Sequence, residues 1–293
     1  MRLERVVAAA RVECSREPAP ALFLGFLFAV TAVVLSACGH DTEAVQVDSS
    51  AYRQDLESLS KARIFFGHQS VGRNLLEGLS EIAQQGKLPL RIIPIDGAHG
   101  DSLPGLFHAE IGKNLEPIGK IEAFTRLLQQ STKPAYDVAL MKFCYVDLSR
   151  DGFQNPKALA EEYAKGVAAV RVAHPHLRLI HMTIPLTADP PGWKTTLKRL
   201  LHRDTEEDTD NQMRNAFNSE IRKRFAGDAL FDLAEVESTL PDGRRSYFMR
   251  GRDTIYTLAQ AYTTDGAHLN QSGRQHAAAA LIRVVADTLR KDR

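Results

Sequence analysis

Two short segments carry side chains that could do chemistry together. The first is Asp265-Gly266-Ala267-His268-Leu269-Asn270-Gln271-Ser272-Gly273. An Asp and a His three apart, just ahead of a helix, can share one loop, with the carboxylate supporting the imidazole. That is the base and its orienter in a nucleophilic triad. A hydroxyl nucleophile must come from elsewhere, and Phe66-Gly67-His68-Gln69-Ser70-Val71-Gly72 supplies one. Its glycine permits a sharp strand-to-helix turn. Ser70 then sits at a helix N-terminus, where free amides and the dipole favour a developing oxyanion. Taken alone, Ser70 reads as a helix cap, and Asp265 and His268 as residues of a surface turn.

A second serine competes, in Gly100-Asp101-Ser102-Leu103. It follows the second strand candidate, Pro104 comes at once, and no helix with an apolar stripe starts at Ser102. Ser70 is therefore the expected nucleophile and Ser102 the alternative. His68, His99 and His108 fall near strand ends, but their spacing fits no ligand motif, so neither metal nor cofactor is expected. Lys142 ends an apolar strand, where it either snorkels or pairs with a carboxylate such as Asp147. Trp193, after Pro190-Pro191-Gly192, reads as a loop anchor or a sugar-stacking platform.

The elements that must position these groups are legible as short apolar runs alternating with helical patterns. The strand candidates are 62–66, 90–95, 138–143, 177–184 and 229–233. Between them, Leu75, Leu76, Leu79 and Ile82 recur at helical spacing, and 118–128, 157–172 and 211–225 read as further helices. Ser272 is read as the cap of a last helix running to about Leu289. This alternation predicts an α/β fold with one five-stranded parallel sheet and helices on both faces. In such sheets the ligand site lies beyond the carboxyl ends of the strands. The charged stretch 194–210 reads as a surface insertion.

The chain has 293 residues, 44% hydrophobic and 25% charged, which is ordinary globular composition. Lys plus Arg is 37 against 36 for Asp plus Glu, so there is no electrostatic reason to expect a nucleic-acid partner. Arg2, Arg5, Arg11 and Arg16 precede an uncharged run, 21–34 (ALFLGFLFAVTAVV), about the length of a signal-peptide core and short for a span. It is the sole stretch that could interest a membrane, which excludes a polytopic membrane protein.

The run ends in Leu35-Ser36-Ala37-Cys38, which resembles the lipobox of bacterial lipoproteins. The resemblance implies cleavage before Cys38 and lipid on its sulfur. Residues 1–37 would be the signal peptide, 38–53 a lipidated tether and 54–293 the folded domain. The protein would face the periplasm or the cell surface, and Gly39 after the cysteine favours the outer membrane over the inner. Cys14 would leave with the signal, Cys38 would be acylated, and Cys144 would remain as a small core residue.

With Asp265-x-x-His268, Gly273 and GHQSVG in hand, the chain resembles the SGNH/GDSL hydrolase superfamily, in a GHQSVG-type bacterial subgroup. The resemblance covers roughly 62–289. It implies a three-layer α/β/α sandwich of flavodoxin-like topology and metal-independent ester hydrolysis, with Ser70, His268 and Asp265 catalytic. The first block departs from Gly-Asp-Ser by one extra residue. The third block should read Gly-x-Asn-Asp, its Asn donating to the oxyanion, but here it is Cys144-Tyr145-Val146-Asp147. Losing such a donor costs about 3 kcal/mol of transition-state stabilisation. Asn114, the Gly112 amide, the Tyr145 hydroxyl and Gln69 are candidate replacements. The expected substrate is a small acyl ester or an acylated carbohydrate. The competing expectation, resting on Val146, is a non-catalytic envelope binding lipoprotein that retains the hydrolase fold.

Overall fold

The central strands form where short apolar runs are buried on both faces, the condition for a parallel sheet. The computed structural model describes residues 49–95, 102–130, 135–190, 192 and 205–291. The chain divides into two units, Met1–Asp41 and Thr42–Arg293. The first unit, with Cys38 and the uncharged run 21–34, lies outside the described residues, as do residues 42–48, His99, Trp193 and 194–204.

The second unit is built on a six-stranded parallel sheet. Its strands are β1 (Arg63–His68), β2 (Ile92–Pro94), β3 (Gly105–Glu110), β4 (Val138–Met141), β5 (Arg178–Met182) and β6 (Ala229–Phe231), in the order β2-β3-β1-β4-β5-β6. Apart from the short edge strand β2, this is the flavodoxin-like order. All five expected strands are present and parallel, and β3 is the addition. GLFHAE opens on a glycine after Pro104 and carries His108 and Glu110, so it lacks an apolar run. Tertiary pairing with β1 makes it a strand.

Helices cover both faces. α1 (Arg53–Ser60), α2 (Ser70–Gln85), the short α6 (Leu233–Ser238) and the C-terminal α7 (Gln271–Arg290) pack on one side. There Ile64, Phe66 and Leu140 of the sheet meet Leu75, Leu79 and Ile282. α3 (Pro117–Gln130), α4 (Pro156–Ala173) and α5 (Glu206–Arg224) pack on the other, where Phe65, Phe107 and Met141 meet Phe124, Tyr163 and Phe217. The result is a three-layer α/β/α sandwich.

The helix starts follow local chemistry. Asn155 accepts from the Ala158 amide (3.1 Å) ahead of Pro156, which fits the first helical position. Thr205 and Asp208 form a reciprocal capping box, so α5 begins at Glu206, earlier than the periodicity of 211–225 suggests. The last helix is capped by Asn270, whose side chain accepts from Gly273 N at 2.9 Å; Ser272 lies inside the first turn and is not the cap. An antiparallel hairpin, β7 (Tyr247–Arg250) with β8 (Asp253–Tyr256), follows α6. Among the described residues no helix is long and apolar enough to cross a membrane.

Candidate active site

Ser70 is the first residue of α2, immediately beyond the carboxyl end of β1. The N-cap is Gln69 in extended conformation, so Ser70 is not spent as a cap. Its amide, at the first helical position, has no intrahelical acceptor. The turn needs Gly72, because a Cβ there would lie 2.3 Å from the His68 Cβ. Gln69 points its carboxamide across to the loop after β3, donating to the Ile111 and Gly112 carbonyls at 3.0 Å each.

Asp265 and His268 arrive from the far end of the sequence, ahead of α7. His268 Nε2 lies 3.2 Å from Ser70 Oγ, across 198 residues of chain. His268 Nδ1 lies 2.7 Å from Asp265 Oδ2. A carboxylate only accepts, so Nδ1 carries the proton and Nε2 presents its lone pair to the serine hydroxyl. Asp265 Oδ1 also accepts from the amides of Ala267 (2.8 Å) and His268 (2.7 Å). Slight burial pushes this carboxyl upward, but those amides and the imidazole outweigh it and hold it well below the usual carboxylate range. Asp265 is thus an anion fixed in place. The Leu269 amide donates to Asn74 of α2 at 3.3 Å, tying the His268 loop to the Ser70 helix.

The Tyr145 ring stands edge-on to His268, with centroids 5.8 Å apart. Buried Arg214 of α5 holds Tyr145 from behind, through its carbonyl (Nε to O, 2.8 Å) and over its ring. Ser70 Oγ also lies 3.7 Å from the sulfur of buried Cys144. Cys144 is therefore a core residue that touches the candidate nucleophile.

Behind the loops lies a buried polar cluster that the sequence does not reveal. Asp147 accepts from the Cys144 amide (2.6 Å), the Leu115 amide (2.9 Å) and Lys120 Nζ (2.6 Å). Lys142 is fully buried; it neither snorkels nor pairs with Asp147, and donates instead to the Phe143 carbonyl (2.9 Å) and towards Cys144 Sγ (3.8 Å). The partner of Asp147 is Lys120, from the first turn of α3. Burial depresses the Lys142 ammonium below its ordinary value. Lys120 lies in the helix expected over 118–128, and tertiary packing buries it.

The other sequence candidates separate by position. Arg63 pairs with Gly105 at one end of β1 and His68 with Glu110 at the other. Ser102, just before Gly105, therefore lies at the amino edge of the sheet, opposite Ser70. Its Gly100 and Asp101 are outside the described residues. His68 and His108 face each other, Nε2 to Nδ1, at 3.0 Å. His68 Nδ1 meets the Gln69 carbonyl (3.0 Å), so it donates there, and Nε2 accepts from His108. Burial lowers His68 to about 4, keeping it neutral. Among the described residues no group of three His, Cys, Asp or Glu side chains is arranged to hold a metal. A cavity of about 610 Å³, lined by Lys61, Asp137, Arg178 and Arg290, lies at the amino edge, away from Ser70.

No family model and no curated protein matches the chain. Among solved structures it is similar to the lipase/acylhydrolase from Enterococcus faecalis (14% identity, TM-score 0.44, covering 77% of this chain and 96% of that one). It is also similar to the Clostridium thermocellum family 3 carbohydrate esterase (16% identity, TM-score 0.43, covering 78% and 97%). A third likeness is to Est24, a carbohydrate acetylesterase from Sinorhizobium meliloti (13% identity, TM-score 0.41, covering 77% and 99%).

Proposed function

We propose that the protein is a metal-independent serine esterase of the SGNH/GDSL type, anchored by lipid at Cys38 in a bacterial envelope with its domain in the periplasm or at the cell surface. The carrying observation is the Ser70–His268–Asp265 alignment, 3.2 Å and 2.7 Å, at the carboxyl end of a parallel sheet. Ser70 Oγ attacks the ester carbonyl carbon while its proton passes to His268 Nε2. Asp265 keeps the imidazole in the required tautomer and stabilises the imidazolium. The Ser70 amide and the loop after β3 face the developing oxyanion. His268 returns the proton to the leaving alcohol. Water then attacks the acyl-serine, with His268 again as base, and releases the acid.

Acetyl and other short acyl esters, including those on carbohydrate, are the proposed substrates, on the strength of the motif resemblance. The test is turnover of p-nitrophenyl acetate by the full-length protein. The wild type should hydrolyse it and Ser70→Ala should not. A wild type without activity on a panel of short acyl esters supports the binding-protein reading instead.

A further inference from the structure

The loop after β3 carries two left-handed residues, Gly112 (φ +56) and the non-glycine Leu115 (φ +71). A left-handed leucine persists only where its surroundings over-determine it. Here the Leu115 amide is clamped by the buried Asp147 carboxylate at 2.9 Å. Gly112 is pressed against α3, where a Cβ would lie 2.8 Å from Lys120 Cγ and 2.9 Å from its backbone nitrogen. Between them, exposed Asn114 turns its Oδ1 to Lys120 Nζ at 3.0 Å, while the same ammonium holds Asp147 at 2.6 Å. An ammonium only donates, so the Asn114 oxygen must face it and the Asn114 NH2 is turned away from it. The loop is stitched to Ser70 from both sides. Gln69 binds the Ile111 and Gly112 carbonyls, and Asp147 binds the amide of Cys144, whose sulfur touches Ser70 Oγ.

We infer that Lys120 is a positioning residue that orients Asn114 as the side-chain oxyanion donor, replacing the donor absent at Val146. This rests on the esterase reading. Of the candidates for that role, Gln69 spends its NH2 on two carbonyls, and among the described residues no hydrogen bond aims the Tyr145 hydroxyl, whose ring stands nearly perpendicular to that of His268. Asn114 is the candidate whose acceptor is held by a buried ammonium, which leaves its NH2 as the donor.

The experiment compares Asn114→Ala, Asn114→Asp and Lys120→Gln with wild type and Ser70→Ala, as full-length proteins hydrolysing p-nitrophenyl acetate. Asn114→Asp keeps an oxygen facing Lys120 but puts a charged oxygen where the NH2 was, so it is read beside the uncharged Asn114→Ala. A purely structural role would leave its rate intact. As an oxyanion donor, Asn114 predicts a kcat loss of about 10²-fold or more in both Asn114 variants, with KM within about twofold and unchanged melting temperature. Lys120→Gln, which can still donate to Asp147, should lose kcat on its own and lose little more in the Asn114→Ala background. Asn114 variants within about threefold of wild-type kcat, while Ser70→Ala is dead, would overturn the inference and leave the esterase reading standing. Independent, multiplicative losses at Lys120 and Asn114 would remove Lys120 from the role. If Lys120→Gln does not fold, the Asn114 pair decides: full activity in either variant overturns the inference, and loss in both, the uncharged Asn114→Ala included, at unchanged melting temperature supports it.

Discussion

At the scale of single residues, the proposed nucleophile, base and orienter should act as one unit or not at all. Ser70→Ala and His268→Ala should each cost about 10⁴-fold or more in kcat, and the double variant should be little worse than either single, because neither group works without the other. Asp265→Asn should cost less than His268→Ala, since it spoils tautomer and charge but leaves the base in place. Ser102→Ala should be silent, as Ser102 lies at the amino edge of the sheet. Steady-state kinetics on p-nitrophenyl acetate read all of these. That Asp265, His268 and Ser70 meet at one place was legible in the sequence because their placement is written in local spacing: an Asp and a His on one loop, and a serine after a strand and a glycine. Lys120, Cys144 and Asp147 were not legible as a group. Their contacts join α3 to the loops after β3 and β4, and no local pattern tells a buried lysine from a solvated one.

At the scale of elements, the Ser70 turn depends on close approach of β1 and α2. Gly72→Ala would drive a methyl into the His68 Cβ, only 2.3 Å away. It should destabilise the fold by about 1–3 kcal/mol and reduce activity further than its stability loss explains, as denaturant midpoints and kcat together would show. α6 presents a second dependence. Buried Glu237 accepts from the Leu186 amide and so ties α6 to the chain after β5. Burial pushes its carboxyl up to about 8, against the opposing pull of the Leu186 amide and the charges of Lys142 and Arg214. The folded protein therefore keeps a proton that the unfolded chain loses above its ordinary value of 4.5. Stability should fall as pH rises through that window, by up to roughly 1.4 kcal/mol per pH unit. Glu237→Gln should flatten the decline in urea titrations between pH 5 and 8; an unchanged slope would remove Glu237 as its source. The same distinction between local and distant causes governs what could be read of the elements. β1, β4 and β5 announce themselves as apolar runs. β3 does not, because its His108 and Glu110 stand at the carboxyl end beside the site, where polar residues displace the apolar pattern.

At the scale of the whole molecule, the near-balance of 37 basic and 36 acidic residues offers no field to draw a polyanion. The proposed envelope address rests on Leu35-Ser36-Ala37-Cys38 after a basic segment and the uncharged run 21–34. Cys38→Ser should abolish incorporation of labelled fatty acid and block the cleavage before residue 38; label retained by Cys38→Ser would remove the anchor from the account. The central claim is that one hydroxyl, activated by His268, is the nucleophile. Reaction of the full-length protein with a fluorophosphonate, followed by mass analysis of its peptides, tests this most directly. The account predicts one phosphonyl adduct, on Ser70, lost in His268→Ala and untouched by Ser102→Ala. An adduct on Ser102, or none on a wild type that hydrolyses short acyl esters, would contradict it.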